Sequence, residues 1–171
     1  AKDQYGDSCE VCSSVYTPTQ LIEPYSVLSG ARPQLRSSEH YFFKLSDPQV
    51  VDFLKSWTQD GKLQPEVAKK ASEWFEAGMA DWDISREAPY FGIEIPDAPG
   101  KYFYVWLDAL FNYASALTFA REGEDLTEQH WPPSLQLLAK DILKFHTVYW
   151  PAFLMSAGLE LPRLLFIHGY L

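Results

Sequence analysis

The sequence predicts an α/β fold, and three stretches carry that prediction. Near the C-terminus, the apolar run Leu135-Gln-Leu-Leu-Ala139, a helical segment from Asp141 to Ala157 and a second apolar run, Leu164-Leu-Phe-Ile167, spell a βαβ unit. Its strands would be parallel and buried on both faces. Further upstream, Tyr90-Phe-Gly-Ile-Glu-Ile95 and Lys101-Tyr-Phe-Tyr-Val-Trp-Leu-Asp108 read as strands of period two. Between residues 46 and 82, apolar side chains recur at helical spacing instead.

Taken in order, Ala1 to Pro33 is turn-rich, with Gly6, Pro18, Pro24, Gly30 and Pro33 and no helical periodicity. A span this irregular calls for an external constraint such as a metal or a neighbouring domain. The aromatic stretch from Glu39 to Leu45 is short enough to be a strand. Ser46 or Asp47 can cap a first helix that has Pro48 in its first turn and Gly61 at its end. Val50, Phe53, Leu54 and Trp57 share one face of it. A second helix begins near Pro65 and aligns Val67, Ala71, Trp74, Phe75, Met79 and Trp82. Stripes of this kind are the ordinary mark of core packing rather than of a cofactor site. Pro96-Asp-Ala-Pro-Gly100 supplies the turn between the two period-two strands, and a helix is expected from Phe111 to Arg121. Pro151 inside the last helical segment predicts a kink.

Composition narrows the function. The chain has 171 residues, 47% hydrophobic and 22% charged, enough for a packed core. An aromatic share of 16% predicts a large buried area or an aromatic-lined pocket. Fourteen basic against twenty-three acidic side chains give a formal charge of −9, the wrong sign for a nonspecific polyanion binder. No apolar run is long enough to span a membrane and no targeting signal opens the chain. Two cysteines make no disulfide framework, which points to the cytoplasm.

Four constellations could carry chemistry. Cys9-Glu-Val-Cys12 can aim two thiolates at one tetrahedral metal, form a redox pair, or be idle. The four histidines show no spacing that completes a metal site. Asp141 stands where a strand passes into a helix, a place where open α/β sheets bind ligands; it could accept bonds from ribose hydroxyls or simply cap the helix. His146, more than one turn further on, could face the same crevice or lie in the core. Arg86 and Glu94 flank the Pro89 turn, and Trp106 and Tyr113 bracket the passage Leu107-Asp-Ala-Leu110, where aromatics pack or line a pocket. There is no Gly-x-Gly-x-x-Gly, no Walker loop and no Ser–His–Asp signal.

Longer strings say more. Asp3-Gln-Tyr-Gly-Asp-Ser-Cys-Glu-Val-Cys12, Ser38-Glu-His-Tyr-Phe-Phe43, Trp82-Asp-Ile-Ser-Arg-Glu-Ala-Pro-Tyr-Phe-Gly92, Gly100-Lys-Tyr-Phe-Tyr-Val-Trp-Leu-Asp-Ala109, Lys140-Asp-Ile142 with Phe145-His146, and His168-Gly-Tyr170 run in order along the chain. Together they resemble the zinc-containing bacterial methionyl-tRNA synthetases, a class I family. The resemblance implies the second half of a class I synthetase Rossmann fold with a connective insertion, mixed α+β, that starts as a zinc knuckle. It places residues 1–82 in the later part of the insertion and residues 83–171 in the second Rossmann half. The reaction it implies is attack of the methionine carboxylate on the α-phosphate of ATP, with its Mg2+, followed by transfer to tRNA(Met).

Carried over position by position, Trp106, Ala109, Leu110, Tyr113, Ile142 and His146 match or adjoin the methionine pocket. Glu94, Ala139 and Asp141 match the adenosine side, and Arg86 and Asp141 match groups needed for activation. Cys9 and Cys12 match one zinc knuckle, with Zn2+ incomplete in this chain. Leu110 stands where the family usually has proline, and Ala139 where it usually has glycine, so a diverged paralog that binds an amino acid or a partner without charging tRNA is the alternative. The family's two phosphate-binding signatures are absent, so the chain reads as a fragment that does not activate methionine alone and touches tRNA little.

Overall fold

The computed structural model describes residues 16–119 and 123–169, which divide into two units at the link between Glu39 and His40. In the first unit the described residues hold one 3-10 turn, Pro18–Gln20, closed by the Thr17 N–H donating to Gln20 Oε1 at 2.8 Å. A second turn is closed by the Ser26 and Ala31 backbone at 2.8 Å. Ile22, Val27 and Leu28 are exposed. The Cys9–Cys12 expectation lies outside the described residues.

The second unit opens with strand β1 (Phe42–Phe43), antiparallel to β2 (Trp82–Asp83). Between them lie the two expected helices, α1 (Pro48–Gln59) and α2 (Pro65–Ala77). Asp47 caps α1, its carboxylate accepting from the Gln49 N–H at 2.9 Å. Gln64 precedes α2 but does not cap it with its side chain, because the amide is used elsewhere. Gly78 ends α2 at φ +90, a conformation that disfavours any residue with a Cβ. Val50, Leu54, Ala71 and Phe75 face inward from this hairpin, onto Leu45, Val148 and Ala152.

Strand β3 (Ser85–Glu87) pairs antiparallel with β4 (Lys101–Phe103), with Arg86 opposite Tyr102. The upstream period-two segment contributes only a bridge, Glu94 to Tyr102. The expectation of a strand as far as Asp108 is corrected: helix α3 (Val105–Thr118) begins two residues after β4. The run of aromatic and branched residues looks like a strand locally, but Leu107 and Leu110 are buried at helical spacing against Trp150, Phe153 and Leu154. Tertiary burial decides the matter.

A short helix α4 (Thr127–His130) leads to β5 (Gln136–Ala139), which is parallel to β6 (Leu165–His168), as the βαβ pattern requires. The connection is a 3-10 turn (Lys140–Ile142), a π-helical turn (Phe145–Tyr149) and α5 (Trp150–Ser156). The perturbation expected at Pro151 takes the form of that wide turn, in which the Trp150 N–H reaches back to Phe145 O. Pro151 has no N–H to continue an ordinary α ladder at this point.

Burial on both sheet faces is corrected. Leu138, Leu165 and Ile167 are covered by Trp57, Leu63 and Val67, whereas Leu137 and Phe166 on the opposite face are 63% and 46% exposed. The helical hairpin covers one side, and no described element covers the other. The outer edge of β6 is closed by Gln64, which donates to Ile167 O at 2.9 Å and accepts from the Ile167 N–H at 2.7 Å. Gln64→Ala leaves both Ile167 groups without their partner, and we expect a loss of about 1–3 kcal/mol in urea denaturation with no change in helix content by circular dichroism.

Candidate active site

Helix α3 brings Trp106, Ala109 and Tyr113 onto one face, at spacings of three and four residues. Leu110 falls on the neighbouring face and is 1% exposed, among Trp150 and Phe153. The Trp106 ring stacks on Phe145 of the π turn, with centroids 4.0 Å apart. Phe145 meets Tyr149 edge-on, and Tyr149 stacks on Trp82 at 4.3 Å. Trp82 also contacts Tyr104, whose face carries the Arg86 guanidinium at 3.8 Å. Much of the aromatic surplus is thus one continuous cluster running from Arg86 to Trp106.

His146 is 4% exposed and fully engaged. Its Nδ1 lies 3.0 Å from Ile142 O, and its Nε2 lies 2.8 Å from the Tyr113 hydroxyl. A carbonyl only accepts, so Nδ1 carries the proton; in the neutral ring Nε2 then accepts from Tyr113. Burial pushes the His146 pKa below its usual 6.5, opposed by the bond to Ile142, and burial pushes the Tyr113 pKa up.

The sign of the pH effect follows. The unfolded chain takes up a proton near pH 6.5 and the folded ring resists it, so this contribution is intact above that pH. It is lost as the pH falls from there toward the folded value. We expect denaturation midpoints to fall with acidification below about pH 6.5, and the difference from His146→Gln to shrink over the same interval. Parallel pH slopes for the two proteins would overturn the assignment.

Ala139 and Asp141 sit at the carboxyl end of β5, and Ile142 closes the 3-10 turn there. Asp141 caps no helix: its side chain is exposed and makes no hydrogen bond or ion pair among the described residues. The carboxylate is therefore open to a ligand. Glu94 is also exposed, but one of its oxygens is occupied, accepting from the Gly100 N–H at 2.7 Å. Gly100 holds φ +76, and the Glu94 contact steadies the turn before β4. Arg86 and Glu94 flank Tyr102 of β4 from opposite sides. No described hydrogen bond links them to Asp141. A cleft of about 280 Å3 lined by Leu117, Trp131, Leu135, Gln136 and Leu137 shares only Tyr113 with the predicted residues.

Several groups carried no sequence signal of their own. Asp83 bonds His40 and Arg86. Lys144 lies near the rings of Trp74 and Tyr149, and burial lowers its pKa. Burial raises the pKa of Asp108 in the first turn of α3. Only the Trp82-to-Arg86 string, read as a resemblance, marked the first of these. Among the described residues no group of three or more His, Cys, Asp or Glu could hold a metal, and no helix is long and apolar enough to cross a membrane.

A parallel βαβ crossover with an exposed carboxylate just past its first strand is an α/β arrangement of the Rossmann kind. The whole chain, residues 1–171, matches the family described as tRNA synthetases class I (M), and it belongs to that family. It is similar to the methionine–tRNA ligase of Verminephrobacter eiseniae, 56% identical over 186 aligned residues that cover 100% of this chain and 27% of the relative. The methionine–tRNA ligase of a Polaromonas species is likewise 56% identical, with 27% of it covered. A crystal structure of Mycobacterium tuberculosis methionyl-tRNA synthetase bound by methionyl-adenylate superposes with a TM-score of 0.73. It is 34% identical, with 92% of this chain and 32% of that one covered. The chain thus spans about a quarter of the length of the curated relatives it matches. The expected fold class, a class I synthetase Rossmann-type α/β domain, stands.

Proposed function

We propose that this chain supplies the methionine-binding and ribose-binding side of a methionine–tRNA ligase. That enzyme joins methionine to the α-phosphate of ATP, releases pyrophosphate and passes the methionyl group to tRNA(Met). The observation that carries the reading is the Tyr113–His146 hydrogen bond at the edge of an aromatic wall that includes Trp106. A thioether side chain is best held by apolar and aromatic surfaces with a polar rim. Ala109 and Ile142 complete that wall, and Leu110 supports it from the core. Asp141, with Ala139 behind it, would take the ribose hydroxyls or the amino group, and Glu94 would approach the adenosine. Arg86 would meet negative charge developing on the α-phosphate, where a preoriented guanidinium is most effective.

Residues 1–82 would be the later part of the connective insertion and residues 83–171 the second Rossmann half. Cys9 and Cys12 would give two of the four ligands of a structural Zn2+; the sequence has no further cysteine to complete the set. Metal analysis with thiol titration of the full-length ligase should find bound zinc and both thiols protected, and reactive thiols would overturn that part. The acidic balance suits a segment with few tRNA contacts, and the setting would be cytoplasmic. Methionine-dependent ATP–pyrophosphate exchange tests the whole reading. The full-length ligase carrying this segment should be active and the 171-residue chain alone inactive. Turnover by the chain alone would refute the division of labour.

A further inference from the structure

We propose that Asp83 is a positioning residue for Arg86, fixing where its guanidinium stands during methionine activation; this rests on the role proposed above for Arg86. A long arginine side chain in the middle of a short two-stranded pairing has many rotamers, and its chemistry needs one of them. Three contacts select it. The guanidinium lies 3.8 Å from the Tyr104 ring centre, Nη1 donates to Ser85 O at 2.6 Å, and Nη1 stands 3.4 Å from Asp83 Oδ2.

Asp83 is itself held from two directions. Its Oδ1 accepts from the Ser85 N–H at 3.0 Å and from the Ser85 hydroxyl at 3.2 Å. Its Oδ2 lies 2.8 Å from His40 Nδ1, which must donate because a carboxylate only accepts. Ser85 is fully buried, and its Oγ in turn accepts from the Tyr41 N–H at 2.9 Å. The carboxylate is therefore a fixed point where the β1–β2 and β3–β4 pairs meet, and Arg86 is braced against it. Only Nη1 of the five-donor fork is engaged. The Nε and Nη2 hydrogens have no partner among the described residues, and the side chain is 28% exposed. An aimed, partly unspent guanidinium suits a phosphoryl oxygen that arrives with the substrate.

The test is made in the full-length ligase carrying this segment. Asp83→Asn keeps the shape of the side chain and removes its charge. We expect a roughly ten- to hundredfold drop in kcat for ATP–pyrophosphate exchange, the scale of a misplaced catalytic group, with KM for methionine held within about twofold. Asp83→Asn combined with Arg86→Ala should be no slower than Arg86→Ala alone, since both act through one group. Multiplying effects, or a normal kcat in Asp83→Asn when Arg86→Ala is slow, would overturn the proposal. Should Asp83→Asn fail to fold, Asp83→Glu keeps the charge but moves it by one methylene, and an unchanged kcat there overturns the proposal equally. Full exchange by Arg86→Ala would instead remove the role given to Arg86 itself.

Discussion

Trp150→Ala is expected to lower stability by about 3–5 kcal/mol, a large part of the roughly 5–15 kcal/mol that holds a domain together. Trp150 has no exposed surface, and its ring meets Phe111, Tyr113 and Trp131 with centroids 5.4, 6.1 and 6.1 Å away. Removing it opens a cavity where α3, α5 and the segment after α4 converge, and its neighbours Ala152 and Leu154 are equally buried. The indole N–H has no partner among the described residues, so Trp150→Phe keeps most of the packing and relieves a buried unpaired donor. That variant should lose less than about 1.5 kcal/mol. Urea denaturation of both proteins decides the matter, and a loss below about 1 kcal/mol for Trp150→Ala would mean that the site collapses to fill the void.

The elements with strong local chemistry were legible in the sequence. Asp47 before Pro48, and Pro65 after a polar loop, mark helix starts by capping and by fixed φ, and both helices begin there. The βαβ unit was legible because parallel strands need a crossover. What stayed hidden depends on partners distant in the chain. Residues 105–108 look like a strand by composition, and only Trp150 and Phe153, some forty residues later, make them helical. Asp83 looks like any turn carboxylate until His40 and Arg86 close on it from opposite sides in sequence.

The site was half visible for a related reason. Trp106, Ala109 and Tyr113 would have shared a face only if the helix had been recognised, and Leu110 would then have fallen into the core. His146 could be flagged as ionisable, but it sits in the π turn and its partners, Ile142 O and Tyr113 Oη, come from the preceding 3-10 turn and from α3. A π turn has no sequence signature beyond the proline that follows it. Asp141 differs in the opposite sense: its capping role disappears because the segment begins as a 3-10 turn whose cap position is Ala139.

Trp106→Ala in the full-length ligase should raise KM for methionine about a hundredfold while KM for ATP changes less than about threefold. The indole stacks on Phe145 at 4.0 Å and shares its helix face with Tyr113, so truncation removes a wall of the proposed thioether pocket, while Tyr149 and Trp82 still hold Phe145. Trp106 is half-buried. If bound methionine covers the rest of its face, loss of an aromatic of this size is worth about 3 kcal/mol, each 1.4 kcal/mol being roughly a factor of ten in binding. Arg86 and Asp83 lie at the far end of the aromatic cluster, beyond Tyr104 and Trp82, and their hydrogen bonds do not involve Trp106. The ATP side should therefore be spared. Trp106→Phe, which retains a stackable ring on Phe145, should recover most of the loss because the wall needs a flat apolar face rather than the indole N–H. Equal rises in both KM values would place Trp106 in the general packing of the domain and take methionine away from this wall.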